Sequence, residues 1–577
     1  MIQNKRILLE SSTQTNMTIT DIKAYNDTIY KETGIVDCFT SVDDFIEHDK
    51  FANEELLQGG REFGDYQTPP HLTHQICEYL VRNYNCNPTI VIEPTFGKGN
   101  FINSVLDFFS NIKKIYGVEI QKGYVWYCKK TLLEKQKFSN QKPDIYLYHD
   151  DIFSHDFDKS IFNSNEEVLI IGNPPWVTNS ELGTLDAKNL PNKNNFKKHK
   201  GLDALTGKSN FDICEYTILR MLETFSNVNG TLAMLCKNSV AKKIVHDLPK
   251  RRFNITDIKL LNIDAKKDFN AATEASLFVV RLGKPLTDQV CKTYKLDEPE
   301  KLISTFGWYN HKFVSNIDKY KRSYLVDNQC QFEWRSGIKH DCSSVMELDT
   351  KGNKLTNKLK EIVDIERDLV YDLLKSSDLK AGIFSDSVRK KVIITQKNIG
   401  ESTDYIEKQY PKLWSYLQSH KDKLDARKSS IYKGKPSFSI FGIGDYSFLP
   451  YKVAISGMYK NSHFTFIQPI NNKPVMLDDT CYFLSFNDYN TAIFTFAVLN
   501  SEVVKDFLSG VVFLDEKRPY TKDLLMRIDL YRATEQITFD DILLTLKPFS
   551  DKINLHNISS EAYQDYIDLL KNKALLL

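Results

Sequence analysis

No two of the ten cysteines (Cys38, Cys77, Cys86, Cys128, Cys214, Cys236, Cys291, Cys330, Cys342, Cys481) stand at C-x-x-C spacing, which argues against zinc ribbons and dithiol redox pairs. Thiols scattered this way along 577 residues predict a reducing, cytoplasmic setting. No run of about eighteen apolar residues occurs, so no membrane span is predicted. Residues 1–10 lack an apolar segment of secretory-signal length. A dominant charge is missing too. Lys and Arg number 76 against 75 Asp and Glu, a net charge of +1, so no overall field draws the chain toward a polyanion. Any polyanion site must be a local patch balanced by acidic surface elsewhere. No metal-binding cluster is visible, and no metal is predicted.

What is present is ordinary globular material, 41% hydrophobic and 26% charged, long enough for two or three domains. The most informative stretch is Val168-Leu169-Ile170-Ile171-Gly172-Asn173-Pro174-Pro175-Trp176. Four aliphatic residues predict a buried strand. Two prolines without N–H groups then end it rigidly. An amide side chain precedes them and a large aromatic follows. A stiff corner at the carboxyl end of a central strand is where open α/β sheets place their chemistry.

Upstream, Thr68-Pro69 predicts a helix start with a hydroxyl cap and a proline in first position, followed by the apolar face Leu72, Ile76, Tyr79 and Leu80. Thr89-Ile90-Val91-Ile92-Glu93 leads into Gly97-Lys98-Gly99 and an amphipathic segment over residues 100–109, a strand, glycine turn and helix. The glycines admit a ligand close to the backbone. Acidic Glu93 suits a cationic ligand better than a pyrophosphate. A second strand ends at Glu119, where a carboxylate can accept ribose hydroxyls. A third ends at His149-Asp150-Asp151-Ile152-Phe153, where Asp151, or its neighbour Asp150, can accept an exocyclic amine above an apolar shelf. Acids at the ends of three successive strands, before Asn-Pro-Pro-Trp at a fourth, form a rare combination.

The order Gly64-Asp65-Tyr66-Gln67-Thr68-Pro69, Glu93-Pro94-Thr95-Phe96-Gly97-Lys98-Gly99-Asn100-Phe101, Gly117-Val118-Glu119, Asp150-Asp151-Ile152-Phe153 and Asn173-Pro174-Pro175-Trp176 resembles the S-adenosylmethionine-dependent DNA amino-methyltransferases. The likeness is to the adenine-N6 type of type II restriction–modification systems. It departs from that pattern at Glu93, where Asp is common, and at Trp176, where Tyr or Phe is common.

The resemblance implies an α/β fold. A Rossmann-like methyltransferase domain with a mixed seven-stranded sheet would span residues 61–285. The polar, mixed sequence of 1–60, with weak helical patterning around Val42 to Leu57, predicts an N-terminal arm or helical extension before it, and an α+β target-recognition domain over 286–577 would follow. The resemblance assigns Thr68, Gly97 and Gly99 to the methionine part of S-adenosylmethionine, Glu93 to the sulfonium and amino group, Glu119 to the ribose and Asp151 to the adenine amine. Catalysis falls to Asn173 and Pro174 as acceptors for the target amine, Pro175 as stiffener and Trp176 as a stacking surface for a flipped-out base. The implied partners are double-stranded DNA and a separately encoded restriction endonuclease, with no membrane.

Alternatives share the motif: cytosine N4, an RNA base or a protein glutamine. Asn at position 173 tilts the choice toward adenine. The loop with Lys188, Lys193, Lys197, Lys198, His199 and Lys200 is either a solvated loop or a phosphate contact, and Asn210 or Phe211 is a candidate for the target pocket. In the C-terminal half, 334–341, 389–397, 427–435 and 442–452 combine basic residues with aromatics, as a groove-reading surface does. A helix is expected over 406–423. No paired-acid-plus-lysine nuclease site is seen, and no fused restriction activity is predicted.

Overall fold

The computed structural model describes residues 19–52, 66–163, 166–177, 212–271, 273–352, 354–379, 382–384, 388–553 and 558–576. The lysine-rich loop after Trp176, together with Asn210 and Phe211, lies outside the described residues. The chain divides into two compact units, Met1–Phe313 and Val314–Leu577.

The first unit runs α1 (Ile19–Thr33), α2 (Val42–Ala52), α3 (Pro70–Arg82), β1 (Ile90–Glu93), α4 (Asn100–Phe108), β2 (Lys114–Glu119), α5 (Lys122–Gln136), β3 (Asp144–His149), β4 (Val168–Gly172), α6 (Ile213–Phe225), β5 (Gly230–Lys237), α7 (Asn238–Asp247), β6 (Ile255–Ile263), α8 (Ala265–Phe269), β7 (Ala275–Leu282), β8 (Val290–Lys295), β9 (Ser304–Tyr309) and β10 (Lys312–Val314). The sheet order is β10-β9-β8-β6-β7-β5-β4-β1-β2-β3. Strands β3, β2, β1, β4 and β5 are parallel, and β7 runs antiparallel between β5 and β6. The aliphatic runs of β1 and β4 are buried throughout, as parallel strands covered on both faces must be. Strand β1 has β2 on one side and β4 on the other. The strand order therefore reverses there, and a crevice opens beyond the carboxyl ends.

Two expectations are corrected. The mixed sheet has ten strands rather than seven, because β8 pairs in parallel with β6 and β9 pairs antiparallel with β8. The compact unit accordingly ends at residue 313, not 285. Strand β8 alternates buried and exposed positions, so its half-polar sequence reads as surface rather than core. The N-terminal segment belongs to the same unit. Ile35 bridges Ile145 in parallel, with Val36 N–H donating to Ile145 O (2.9 Å), so residues 34–36 cover the β3 edge. The Lys129 ammonium of α5 donates to the Cys38 carbonyl, and Trp126 Nε1 donates to Asp44 Oδ1 (3.2 Å).

The second unit holds two small sheets. One orders Arg335–Ser336, Cys481–Phe486, Tyr451–Ser456, Thr465–Ile467 and Ile383–Phe384; the other orders Ile362–Val363, Lys354–Asn357, Glu347–Lys351, Lys390–Ile393, Val370–Leu374 and Met476–Leu477. Helices Tyr489–Leu499, Glu502–Val511 and Ser560–Ala574 stand among those that follow. The helix expected over 406–423 is broken into Tyr405–Gln409, Pro411–Ser419 and Lys421–Asp425. Pro411 lacks an N–H and starts a new helix. Among the described residues, no helix is long and apolar enough to cross a membrane.

Candidate active site

The crevice at the reversal point is a cavity of about 380 Å³. Its wall includes Tyr66, Gln67, Thr68, Glu93, Gly97, Glu119, Asp150, Asp151, Asn173 and Pro175. Residues separated by more than a hundred positions thus meet at the ends of β1, β2, β3 and β4. Gly99, Pro174 and Trp176 do not line it.

The glycine turn between β1 and α4 is specified by backbone geometry. Gly97 (φ 52°) and Gly99 (φ 78°) occupy the left-handed region, where a Cβ is costly. A Cβ on Gly97 would also lie 2.7 Å from Gln67 Oε1, and one on Gly99 would lie 2.3 Å from Cys128 Sγ. Two carboxylates brace the turn. Glu119 accepts the Gly97 N–H through Oε2 (2.9 Å) and the Gln121 N–H through Oε1 (2.8 Å). Glu93 accepts the Ile102 N–H at the start of α4 (3.1 Å) and is 2% exposed. Burial pushes its carboxyl well above the ordinary range, and the charge of Glu119 adds to the rise.

The segment before α3 ties the glycine turn to the proline corner. Gln67 Oε1 accepts the Lys98 N–H (3.0 Å), and the Thr68 carbonyl accepts from Asn100 Nδ2 (2.8 Å). Thr68 does not cap α3 as its hydroxyl predicts. Instead Pro69 is the N-cap, without a side-chain hydrogen bond, and Pro70 is first in the helix. The neighbouring Tyr66 carbonyl accepts from Asn173 Nδ2 (2.8 Å). That bond fixes the amide's orientation, because a carbonyl cannot donate. Asn173 Oδ1 is left buried with no partner among the described residues. A buried acceptor in that state costs about 1–3 kcal/mol until a donor arrives.

Trp176 is 5% exposed and packs against Tyr66 (ring centroids 5.5 Å apart) and Phe269 of α8 (5.1 Å). This packing revises the open stacking face expected of Trp176. Of the three rings, Tyr66 lines the cavity. At the far end, Asp150 and Asp151 both reach the wall, with Ile152 and Phe153 beside them. Sequence reasoning gives no role to the side chains of Gln67, Gln121, Tyr124 or Phe269. The first three adjoin or lie close to residues it does single out and could have been found by offset. Phe269, about ninety residues past the proline corner, carries no local signal. Among the described residues, no group of three or more His, Cys, Asp or Glu could hold a metal.

Compared with known proteins, the chain is 44% identical over 471 residues to the type II methyltransferase M.NspV of a Nostoc species, covering 81% of this chain and 96% of that one. The chain belongs to the type II methyltransferases. This methyltransferase is also 20% identical over 560 residues to the type II methyltransferase M.HincII of Haemophilus influenzae, covering 85% and 94% of the two chains. A solved structure of the type IIL restriction–modification enzyme MmeI in complex with DNA aligns with TM-score 0.48 and 11% identity over 87% of this chain and 71% of that one, a likeness too slight to support an argument. No family model matches the chain.

Proposed function

We propose that this methyltransferase is the modification enzyme of a restriction–modification system, acting on double-stranded DNA at the N6 amine of a flipped-out adenine. The observation that carries this reading is the unpartnered Asn173 Oδ1 beside a cavity shared with Gly97 and Glu119. The cavity wall suits S-adenosylmethionine: Gly97 for close backbone approach, Glu119 for ribose hydroxyls, Glu93 for the cationic end and Asp151 for the adenine amine. S-adenosylmethionine supplies the electrophilic methyl when bound.

The chain's own work is to hold the acceptor. An exocyclic amine is a poor nucleophile because its lone pair is shared with the ring. Asn173 Oδ1 accepts one of its N–H bonds and the Pro174 carbonyl the other, favouring positive charge on nitrogen as the new bond forms. The prolines and the Tyr66 carbonyl hold that geometry in advance. Extruding the base costs a few kcal/mol. An aromatic face offsets about 1–3 kcal/mol of this, a role that passes to Tyr66, backed by Trp176. The second unit serves as the target-recognition domain, and a separately encoded endonuclease of the same specificity completes the system.

The test is transfer of labelled methyl to duplex oligonucleotides, followed by nucleoside analysis. N6-methyladenine is expected. N4-methylcytosine would move the assignment to the other base, and label only in RNA or protein would overturn the DNA reading. Asn173→Ala should lower kcat at least about 100-fold, as loss of a preorganised hydrogen-bonding group does. Cofactor affinity should stay within about threefold, since Asn173 acts on the target amine rather than the cofactor. Near-full activity in that variant would remove Asn173 from the mechanism.

A further inference from the structure

Two adjacent carboxylates, Asp150 and Asp151, reach the same end of the cavity, yet the structure uses them differently. Both oxygens of Asp150 are engaged within the protein. Oδ1 accepts the Asp151 N–H (2.8 Å), and Oδ2 lies 2.8 Å from His155 Nδ1. A carboxylate only accepts, so Nδ1 carries the proton in that bond. Asp151 has one oxygen spent on the Phe153 N–H (3.0 Å). Its other oxygen has no partner among the described residues.

His155 does not line the cavity. It is 7% exposed, with its ring between Tyr148 (4.8 Å) and Phe157 (4.8 Å) and its carbonyl accepting from Arg220 (3.4 Å). The Asp151 carbonyl accepts the N–H groups of Ser154 (3.0 Å) and His155 (2.9 Å), which closes the turn. Burying an imidazole behind a loop, with its one visible polar contact aimed at an acid on the cavity wall, suits a positioning role.

We infer that His155 is a positioning residue: by holding Asp150 it leaves Asp151, among the described residues, as the carboxylate that offers the ligand an unpartnered oxygen at this end of the cavity, and so sets a preference for a purine bearing a 6-amino donor. The inference rests on the reading of the cavity as the S-adenosylmethionine site. Without the His155 donor, Asp150 can turn toward the ligand. Two neighbouring acids then repel each other and present a loosely placed acceptor. The adenine amine loses its defined partner, while a 6-oxo purine is no longer faced by one fixed, acceptor-only group.

The experiment uses the full chain and two probes, S-adenosylhomocysteine and its inosine counterpart, in which oxygen replaces the 6-amino group. In wild type, binding of the amino form should exceed that of the oxo form by about tenfold or more, the scale of a hydrogen bond to a charged acceptor. His155→Phe keeps the ring packing against Tyr148 and Phe157 and removes the donor. It should shrink the preference to within about twofold and raise cofactor KM about tenfold, with kcat little changed. His155→Asn returns an N–H near the Nδ1 position and should restore the preference even if its melting temperature is lower. If His155→Phe weakens both probes equally, or if His155→Asn fails to restore the ratio, the positioning role is overturned while the cofactor site stands. If wild type binds neither probe, the cavity assignment falls and this role with it.

Discussion

Glu93 shows how a single residue can be tuned by its surroundings. Burial drives its carboxyl well above the usual range, the Ile102 N–H pulls partly back, and the charge of Glu119 pushes it further up. The carboxyl of the unliganded protein therefore holds its proton to higher pH than an ordinary carboxyl does. A cationic ligand favours the carboxylate, so binding S-adenosylmethionine should release a proton, and affinity should climb with pH until the free protein's own carboxyl ionises. Calorimetric titration in two buffers of different ionisation heat measures the release. Identical heats in both buffers would mean that Glu93 does not meet the charge. Glu93→Gln should abolish the buffer dependence and weaken binding about tenfold. Individual residues were legible in the sequence where chemistry confines them to a few types: Asn173 before two prolines, Gly97, and the acids at strand ends. His155 and Phe269 were not, because their roles arise from partners assembled only by folding. Trp176 was legible as an aromatic, but its burial against Phe269 depends on α8, whose position relative to the proline corner no local pattern encodes.

At the scale of elements, the turn between β1 and α4 separates backbone strain from steric conflict. An alanine at position 99 would meet Cys128 Sγ at 2.3 Å and Cys128 Cβ at 3.3 Å, in addition to its positive φ. Gly99→Ala should cost about 2–4 kcal/mol, combining left-handed strain with overpacking. Adding Cys128→Ala should relieve the clash but leave about 1 kcal/mol of strain. Denaturant titrations of the two single variants and the double variant complete the cycle. Full recovery would show that the left-handed conformation is not required.

The basic stretches of the second unit divide in a similar way. Arg389, Lys390 and Lys391 pair with Asp378, Asp349 and Asp372, so their charge is spent on holding the fold. Lys428, Lys433 and Lys435 are exposed, with no ion pair among the described residues. Tyr432 anchors their loop, with the Arg427 guanidinium 3.7 Å from its ring centroid and its hydroxyl donating to the Lys339 carbonyl (3.3 Å). Replacing the three lysines by serine should weaken duplex binding. It should also flatten the plot of log affinity against log salt by about 0.9 for each phosphate that is no longer neutralised. An unchanged slope would place the DNA elsewhere. The sequence showed a surplus of positive charge here. Which lysines were already neutralised became visible only with strand register, since Lys390 and Lys391 meet their acids across neighbouring strands.

At the scale of the whole molecule, the two units should answer pH in opposite directions. In the first, the raised carboxyl of Glu93 means that the folded form holds a proton the unfolded form releases above the ordinary carboxylate range. Its contribution is fully present below that range and is lost as pH rises. In the second, Lys452 is 1% exposed, its ammonium donates to the Leu449 carbonyl (2.8 Å), and burial pulls its pKa down from 10.5 to about 7. Here the unfolded form binds the extra proton. Stability therefore rises with pH between about 7 and 10.5 by up to about 1.4 kcal/mol per pH unit, and the full cost of charging a buried amine is felt below 7. Glu347 acts at the acid end. His340 and Lys375 outweigh its burial and hold its carboxyl at about 2, so stability present above the ordinary carboxylate range is lost as pH falls toward that value. Hydrogen exchange followed by proteolysis reads the two units separately within the intact chain. On moving from pH 7 to pH 9, slow amides in the Tyr451–Ser456 strand should become more protected after correction for the intrinsic exchange rate, and those in β1 should not. Lys452→Met removes the titrating group while keeping most of the buried volume. It should raise protection of the second unit at pH 7 and erase its pH slope, leaving β1 unchanged. A slope that survives the substitution would assign the effect to another group, and a matching change in β1 would show that the units do not respond independently.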